Sequence, residues 1–421
     1  MNAPLVNLTQ PVLPPAIPDH FPKGVRPERT LRTREEFLQA ARDLVPELRA
    51  HAKKTNDFRQ PADESVEALI KAGLCGITRP RMYGGAELEL SDQFDVGAIL
   101  AEGCPSTAWD YIVWEVFNWI IGMMPKEGQD DVFGSGDVGL ICGIFNPSGA
   151  KARVVDGGYM ISGRWQFGSG STHSSWGCVM GTIEGRTTPD GAPESRMMVV
   201  PRDQYEVLDT WYVRGLGGTG SHDIYIGEEI FVPEHRTMTR FDMNGDPPGA
   251  KLHNAASFRV PITPGAHLAA AATSVGAARG AIADFKEYAS KRVIVNGVKQ
   301  SDTASAAIRI ATALMEVEAA QLLFQRMIRD IEDGIRAGRQ MTTEMRAKTR
   351  NVSAHVPNAC KQVVTSMVAG AGSGAMRESS FLSAYLLDVT TMSSHFSTQY
   401  DLGPENYGRV LLGLPPSNPA I

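Results

Sequence analysis

The chain has 421 residues, 43% hydrophobic and 21% charged, a composition that implies a folded protein of two or three domains and excludes wholesale disorder or a fibrous architecture. Lys and Arg number 41 against 47 Asp and Glu, a net charge of −6 with no basic run able to neutralise a phosphate backbone, so nucleic acid is not an expected partner. No apolar run approaches the roughly 18 residues of a membrane span, no signal-peptide core stands at the start, and the five cysteines lie far apart, so a cytoplasmic protein with reduced structural thiols is expected.

Residues 1–29 are rich in proline and read as a flexible arm. Residues 30–137 form a helical domain, with Thr33 and Glu36 as a capping box, Phe37, Ala40, Ala41, Leu44 and Leu48 at helical spacing, and Pro46 placed to bend that first helix. Further helices are predicted over 61–73, 91–103 and 105–124. The last of these carries Trp109, Tyr111, Trp114, Phe117 and Trp119, which suits either a core or the wall of an aromatic-binding cavity. Residues 138–260 change texture to a β domain, with strands predicted over 152–155, 159–167, 176–184, 196–201, 205–213 and 222–232, and a loop over 186–194. Residues 261–421 return to helix over 265–294, 301–338, 342–370 and 377–396, a four-helix bundle with a tail, and the fold class is α+β. The Ala- and Gly-rich start of that bundle permits close helix approach.

Gly215-Leu216-Gly217-Gly218-Thr219-Gly220 satisfies the GxGxxG pattern, but residues 221–232 continue as a strand and no βαβ unit surrounds them, so a nicotinamide-dinucleotide fold is rejected. P-loop, zincin and serine-hydrolase motifs are absent, and the nine scattered histidines show no metal-ligand spacing, so no metal is expected. His395 ends the last long helix, seven residues after Asp388. Over 161–171, Trp165, Phe167 and Ser169 alternate so that a regular strand would turn them to one side, offering two flat apolar surfaces and one hydrogen-bond donor to a planar ligand, or else packing an ordinary sheet.

These features resemble the acyl-CoA dehydrogenase superfamily, and within it the two-component flavin-dependent monooxygenases such as the 4-hydroxyphenylacetate and secosteroid phenol hydroxylases. The resemblance covers residues 30–416 through Pro80-Arg81-Met82-Tyr83-Gly84-Gly85, Asn118-Trp119, Asn146-Pro147-Ser148-Gly149, the segment from Gly163 to Gly170, Trp211 with the Gly-rich loop, Arg292, and Gly370-Ala371-Gly372-Ser373. It implies that Phe167 and Ser169 lie against a flavin ring, Ser169 at its N5 edge, and that Ile144, Phe145 and Asn146 offer backbone groups to the ring's other side. It also implies that Arg292, Gly370, Gly372 and Ser373 meet a flavin phosphate, which a neighbouring subunit often holds.

Dehydrogenases of the superfamily often carry Tyr-Glu-Gly-Thr where this chain has His395-Phe396-Ser397-Thr398, so the carboxylate that would remove an α-proton is replaced by phenylalanine. The resemblance therefore implies an oxygenase component that uses reduced FMN or FAD and O2, through a C4a-hydroperoxyflavin, to hydroxylate an aromatic substrate, with His395 and Ser169 as catalytic residues. It implies a separate NAD(P)H:flavin reductase and a homotetramer. Phe117 and the Gly143-Ile144 pair stand where phenol hydroxylases of the group place a histidine and a serine. A more apolar substrate site, lined by Trp109, Trp114, Phe117, Ile144 and Phe396, is expected, with phenolic, indolic or polycyclic substrates open. An acyl-CoA dehydrogenase and a non-catalytic flavin-binding protein remain as alternatives.

Overall fold

Thr33 opens the first helix as expected: its hydroxyl accepts from the Glu36 N–H while the Glu36 carboxylate reaches back, and α1 (Arg34–Phe58) runs continuously through Pro46 to a left-handed stop at Arg59. The structure, a computed structural model, describes residues 13–136, 138–188, 191–294 and 297–418, so the first twelve residues of the predicted arm lie outside it. The rest of the arm is tied down. Ile17 donates to the Val207 carbonyl at 2.7 Å, and His20 to that of Thr172 at 2.9 Å, which corrects the expectation of flexibility for these residues.

The helical layer continues with α2 (Asp63–Lys71), α3 (Leu90–Leu100), α4 (Pro105–Gly122) and a short α5 (Lys126–Phe133) that the sequence pattern did not predict. Pro105 sits in the first turn of α4, where its missing N–H costs nothing.

Among the described residues eight strands follow: β1 (Ile141–Gly143), β2 (Ala150–Val155), β3 (Gly158–Gly168), β4 (Trp176–Thr187), β5 (Pro193–Pro201), β6 (Glu206–Leu208), β7 (His222–Pro233) and β8 (Thr237–Thr239). They form one sheet in the order β6-β7-β3-β2-β4-β5-β8, with β1 beside β4. The strand predicted over 205–213 is only β6, and the loop predicted over 186–194 is shortened because β4 and β5 extend into it.

The C-terminal part comprises α6 (Arg240–Asn244), α7 (Ile262–Lys291), α8 (Ala304–Arg336), α9 (Thr343–Ala371), α10 (Phe381–Ser394) and α11 (Leu402–Leu411). The small residues of α7 do admit close neighbours: a Cβ at Gly276 would stand 1.8 Å from the Ala98 carbonyl, and one at Gly280 2.4 Å from the Tyr385 hydroxyl. One apolar core joins the helical parts and another fills the sheet. A small third cluster of Trp109, Leu216, Ala270 and Met392 joins α4, the Gly-rich loop, α7 and α10.

That loop opens no helix. It turns through Gly217–Thr219 straight into β7, and a Cβ at Gly215 or Gly218 would strike the Leu387 carbonyl at 2.2 Å or the Thr55 methyl at 2.3 Å. The glycines are there for close approach to α10 and α1.

Candidate active site

Every residue of α4 is buried except Val113. Trp109, Val113 and Phe117 follow one another at four-residue spacing and share a face, so the one partly exposed position of the helix has an aromatic residue one turn away on each side. Phe117 stacks on Phe145 at 5.3 Å between ring centres and lies against Gly143, where a Cβ would come within 2.2 Å of the ring. Trp114 points elsewhere. It has no exposed surface, and its indole N–H is shared between the Gly170 carbonyl at 3.3 Å and the Ser174 hydroxyl at 3.2 Å, so its expected place in a substrate site is not supported. Val113 is one residue that the sequence pattern did not single out, although its spacing from Trp109 and Phe117 was there to be read.

The predicted alternation of Trp165, Phe167 and Ser169 fails at a bulge. The pairing of β3 with β7 shifts register between Trp165 and Gly168, and Phe167 takes a left-handed backbone, φ 72°. Trp165 therefore turns into the sheet core, its indole donating to the Met180 carbonyl at 2.7 Å, while Phe167 is 62% exposed and meets Trp211 edge-on at 6.0 Å. Ser169 lies just beyond, where its hydroxyl meets the Ser221 hydroxyl at 2.7 Å and accepts from the Trp109 indole at 3.3 Å.

Ile144 also departs from expectation. Its side chain packs in the sheet core and its N–H donates to the Cys178 carbonyl at 2.8 Å, leaving neither for a ligand. Phe145 and Asn146 are exposed, and the side-chain Oδ1 of Asn146 caps the following turn by accepting from the Ser148 N–H at 3.0 Å.

His395 arrives from the far end of the chain and places its ring edge-on to Trp109, 5.4 Å between centres. The same indole thus touches both residues expected to be catalytic. His395 Nδ1 accepts from the Ser397 N–H at 3.2 Å, which puts the proton of the neutral ring on Nε2. His395 is exposed to solvent, yet many protein atoms crowd its imidazole; that desolvation first, then the Arg350 charge, push its pKa down to about 4. Arg350 is itself buried, pairs with no carboxylate among the described residues, and donates to the carbonyls of Phe396 and Ser397, pinning the turn that holds His395. His267 of α7 lies within the electrostatic reach of both, with a buried Nδ1 that has no partner, and sequence reasoning gave no signal for it. Phe396 is exposed, with the Arg350 guanidinium 5.4 Å from its ring centre.

Arg292 and the turn at 370–373 do meet. Arg292 donates to the Ala371 carbonyl at 2.5 Å, and Gln300, 3.3 Å from Arg292, donates to Gly370 at 2.7 Å. A Cβ at Gly372 would lie 3.3 Å from the Arg292 guanidinium, and one at Gly370 2.6 Å from Arg309. Among the described residues neither arginine is paired with a carboxylate, and Ser373 follows the turn, so the corner suits an anion such as a flavin phosphate.

Three histidine and carboxylate groups also converge, which the scattered sequence positions concealed. Asp63 accepts from His173 at 2.9 Å and His20 at 3.2 Å, and their ligand atoms lie within 4.8 Å of one another, as a metal would require. The hydrogen bonds alone account for the cluster, which ties the arm to α2. A groove of about 440 Å³ between α1, α3, α7 and α8 is walled by paired charges, Arg34 with Asp95 and Arg279 with Glu102, and touches none of the expected site residues.

The acyl-CoA dehydrogenase C-terminal domain family matches residues 268–400. A pigment production hydroxylase of a Rhodococcus species is 31% identical over 92% of this chain and 99% of its own length. HsaA, the oxygenase subunit of a flavin-dependent monooxygenase of Mycobacterium tuberculosis, is 30% identical over 93% of this chain and 98% of its own. The solved structure of 3-HSA hydroxylase from Rhodococcus sp. RHA1 matches with a TM-score of 0.85 at 28% identity, over 92% of this chain and 99% of that one. These relatives span the helical, β and bundle parts alike, and the chain belongs to the family of flavin-dependent monooxygenase oxygenase subunits built on the acyl-CoA dehydrogenase fold.

Proposed function

We propose that this chain is an oxygenase component that takes reduced flavin and O2 and hydroxylates an aromatic substrate in the cleft between α4, the end of β3 and the end of α10. The observation that carries the reading is the convergence of Ser169 and His395 on Trp109, one turn from the only partly exposed residue of α4, Val113. Bound flavin supplies the electrons and the oxygen-activating carbon. Phe167 and Ser169 would hold the ring, and Arg292, Gln300 and Ser373 the phosphate.

The protein's own part is to position, to exclude water and to hold a proton. Trp109, Val113, Phe117 and Phe145 give an apolar wall that excludes water and takes a flat substrate through dispersion and ring contacts. His395 keeps its proton on Nε2 and stays neutral, so it donates a hydrogen bond to the reacting oxygen without adding a full charge to the cleft.

The sheet is largely antiparallel and has no βαβ nucleotide unit among the described residues, which supports reduction of the flavin by a separate NAD(P)H-dependent reductase in the cytoplasm. No helix among the described residues is long and apolar enough to cross a membrane. Ile308, Met315 and Leu322 form an exposed apolar stripe along α8 at seven-residue spacing, which supports a homotetramer with that helix at an interface.

The test is stopped-flow mixing of the protein and reduced FMN with oxygenated buffer. A long-lived absorbance unlike either free flavin state, with hydroxylated product once an aromatic substrate is added, is expected. Steady NADH oxidation by the protein alone, or bleaching of tightly held FAD by an acyl-CoA, would overturn the reading.

A further inference from the structure

The three hydroxyls beside the cleft form a chain whose hydrogen-bond directions are fixed from both ends. Ser169 Oγ lies 2.7 Å from Ser221 Oγ, which lies 2.6 Å from Thr219 Oγ1, which in turn lies 2.9 Å from the Leu216 carbonyl oxygen. A carbonyl cannot donate, so the Thr219 proton must lie on the Leu216 contact; two oxygens at that distance without a proton between them would repel. Thr219 then accepts from Ser221, and Ser221, its one proton spent, accepts from Ser169. At the other end the Trp109 indole can only donate, and it donates to Ser169 at 3.3 Å. Ser169 is left with its proton committed, one lone pair occupied and one lone pair open.

We infer that Ser221 and Thr219 are specificity-determining residues that make Ser169 an obligate hydrogen-bond acceptor and so select the reduced flavin over the oxidised one. This rests on the proposed placement of the flavin N5 edge at Ser169. Reduced flavin carries a proton on N5 and donates; oxidised flavin presents a lone pair there. Ser169 complements the first and faces the second lone pair to lone pair. A free serine would rotate and serve both states equally, so the selectivity lies in the two residues behind it.

The Leu216 peptide is the anchor. Its carbonyl also accepts from the Trp211 indole at 3.0 Å, its N–H donates to Asp388 at 2.6 Å, and all three hydroxyl residues are buried. Bulk water therefore does not reset the directions. The sequence suggested Ser169 as a donor to a planar ligand; its neighbours make it the reverse.

The experiment measures dissociation constants for oxidised FMN aerobically and for dithionite-reduced FMN anaerobically, in variants first checked for native circular dichroism and melting temperature. Ser221→Ala frees the Ser169 proton to turn outward, and Thr219→Val removes the forced donor to Leu216. Each is expected to lower the ratio of oxidised to reduced dissociation constants about tenfold, the net worth of one hydrogen bond, mainly through tighter oxidised FMN. Thr219→Ser keeps the direction and should keep the wild-type ratio, as loosened packing alone would not. Ser169→Ala separates the two readings. If it weakens reduced FMN while Ser221→Ala and Thr219→Val leave the ratio at the wild-type value, the inference is wrong and the flavin placement stands. If Ser169→Ala changes neither constant, the placement fails and the inference with it.

Discussion

The carboxyl group of Asp388 accepts a 2.6 Å hydrogen bond from the main-chain N–H of Leu216, a residue with a left-handed backbone, φ 53°, that only close support from its surroundings maintains. This bond fastens the Gly-rich loop, and with it the hydroxyl chain behind Ser169, to the helix that ends at His395.

Burial raises the Asp388 pKa to about 7. The folded protein thus retains a proton that the unfolded chain releases near the ordinary value of 3.8, and the stability linked to it is full below that value and is lost as pH rises through about 7. Glu332, which accepts from the Ser91 N–H and hydroxyl, is raised to about 7 and acts in the same direction. Calorimetry should show a melting temperature that falls between pH 5 and pH 8. Asp388→Asn, which keeps the acceptor for Leu216, should flatten that fall, and adding Glu332→Gln should flatten it further. An unchanged slope in both variants would show that these carboxyls carry no net proton linkage.

With a pKa near 4, His395 stays neutral through the physiological range and should give no inflection in coupled hydroxylation near pH 6.5. His395→Ala is expected to cost about two to four decades of oxygen transfer with the fold retained, as for a positioned donor. Removing the Arg350 charge with Arg350→Met should move the acid limb upward, because that charge disfavours the imidazolium. Product formed per flavin oxidised across pH 4.5–8 measures all three effects; wild-type coupling in His395→Ala would reduce the residue to a structural role.

Val113 is the only residue of α4 that is not fully buried, so a larger side chain there should crowd the proposed cleft: Val113→Phe is expected to raise KM for an aromatic substrate about tenfold or more with reduced-flavin affinity unchanged. Phe117→His tests the apolar wall next to it. A polar ring against Phe145 and Gly143 without a partner costs about 1–3 kcal/mol, and the ratio of kcat/KM for indole to that for a simple phenol should fall. An unchanged ratio would place the substrate away from this face.

Arg292 and Arg309 should matter only to a ligand that carries phosphate. Arg292→Ala is expected to weaken reduced FMN by about one to two decades, the worth of a charge-assisted hydrogen bond, and to leave riboflavin binding as it was. Equal losses for both ligands, read by fluorescence titration, would mean that the arginine supports the 370–372 turn and not the phosphate.

The order of helices, β domain and bundle was legible in the sequence because periodicity and punctuation are local: the Thr33 capping box and the lengths of α7 to α10 follow from residues a few positions apart. The family resemblance likewise needed only motifs in order, and the rejection of GxGxxG needed only the strand-like residues after it. What the tertiary structure decided are contacts and directions. Trp165 and Phe167 part company because a register shift against β7 breaks an alternation that strand geometry would otherwise impose. Ile144 is lost to the sheet because its N–H finds Cys178, and Trp114 to the core because Gly170 and Ser174 take its indole. Val113, His267 and Arg350 enter the site because α4, α7 and α9 pack around the end of α10. The direction of the hydroxyl chain is the furthest from the sequence. It depends on a carbonyl that cannot donate and an indole that cannot accept, contributed by residues more than a hundred positions apart that only the folded chain holds on either side of Ser169, Ser221 and Thr219.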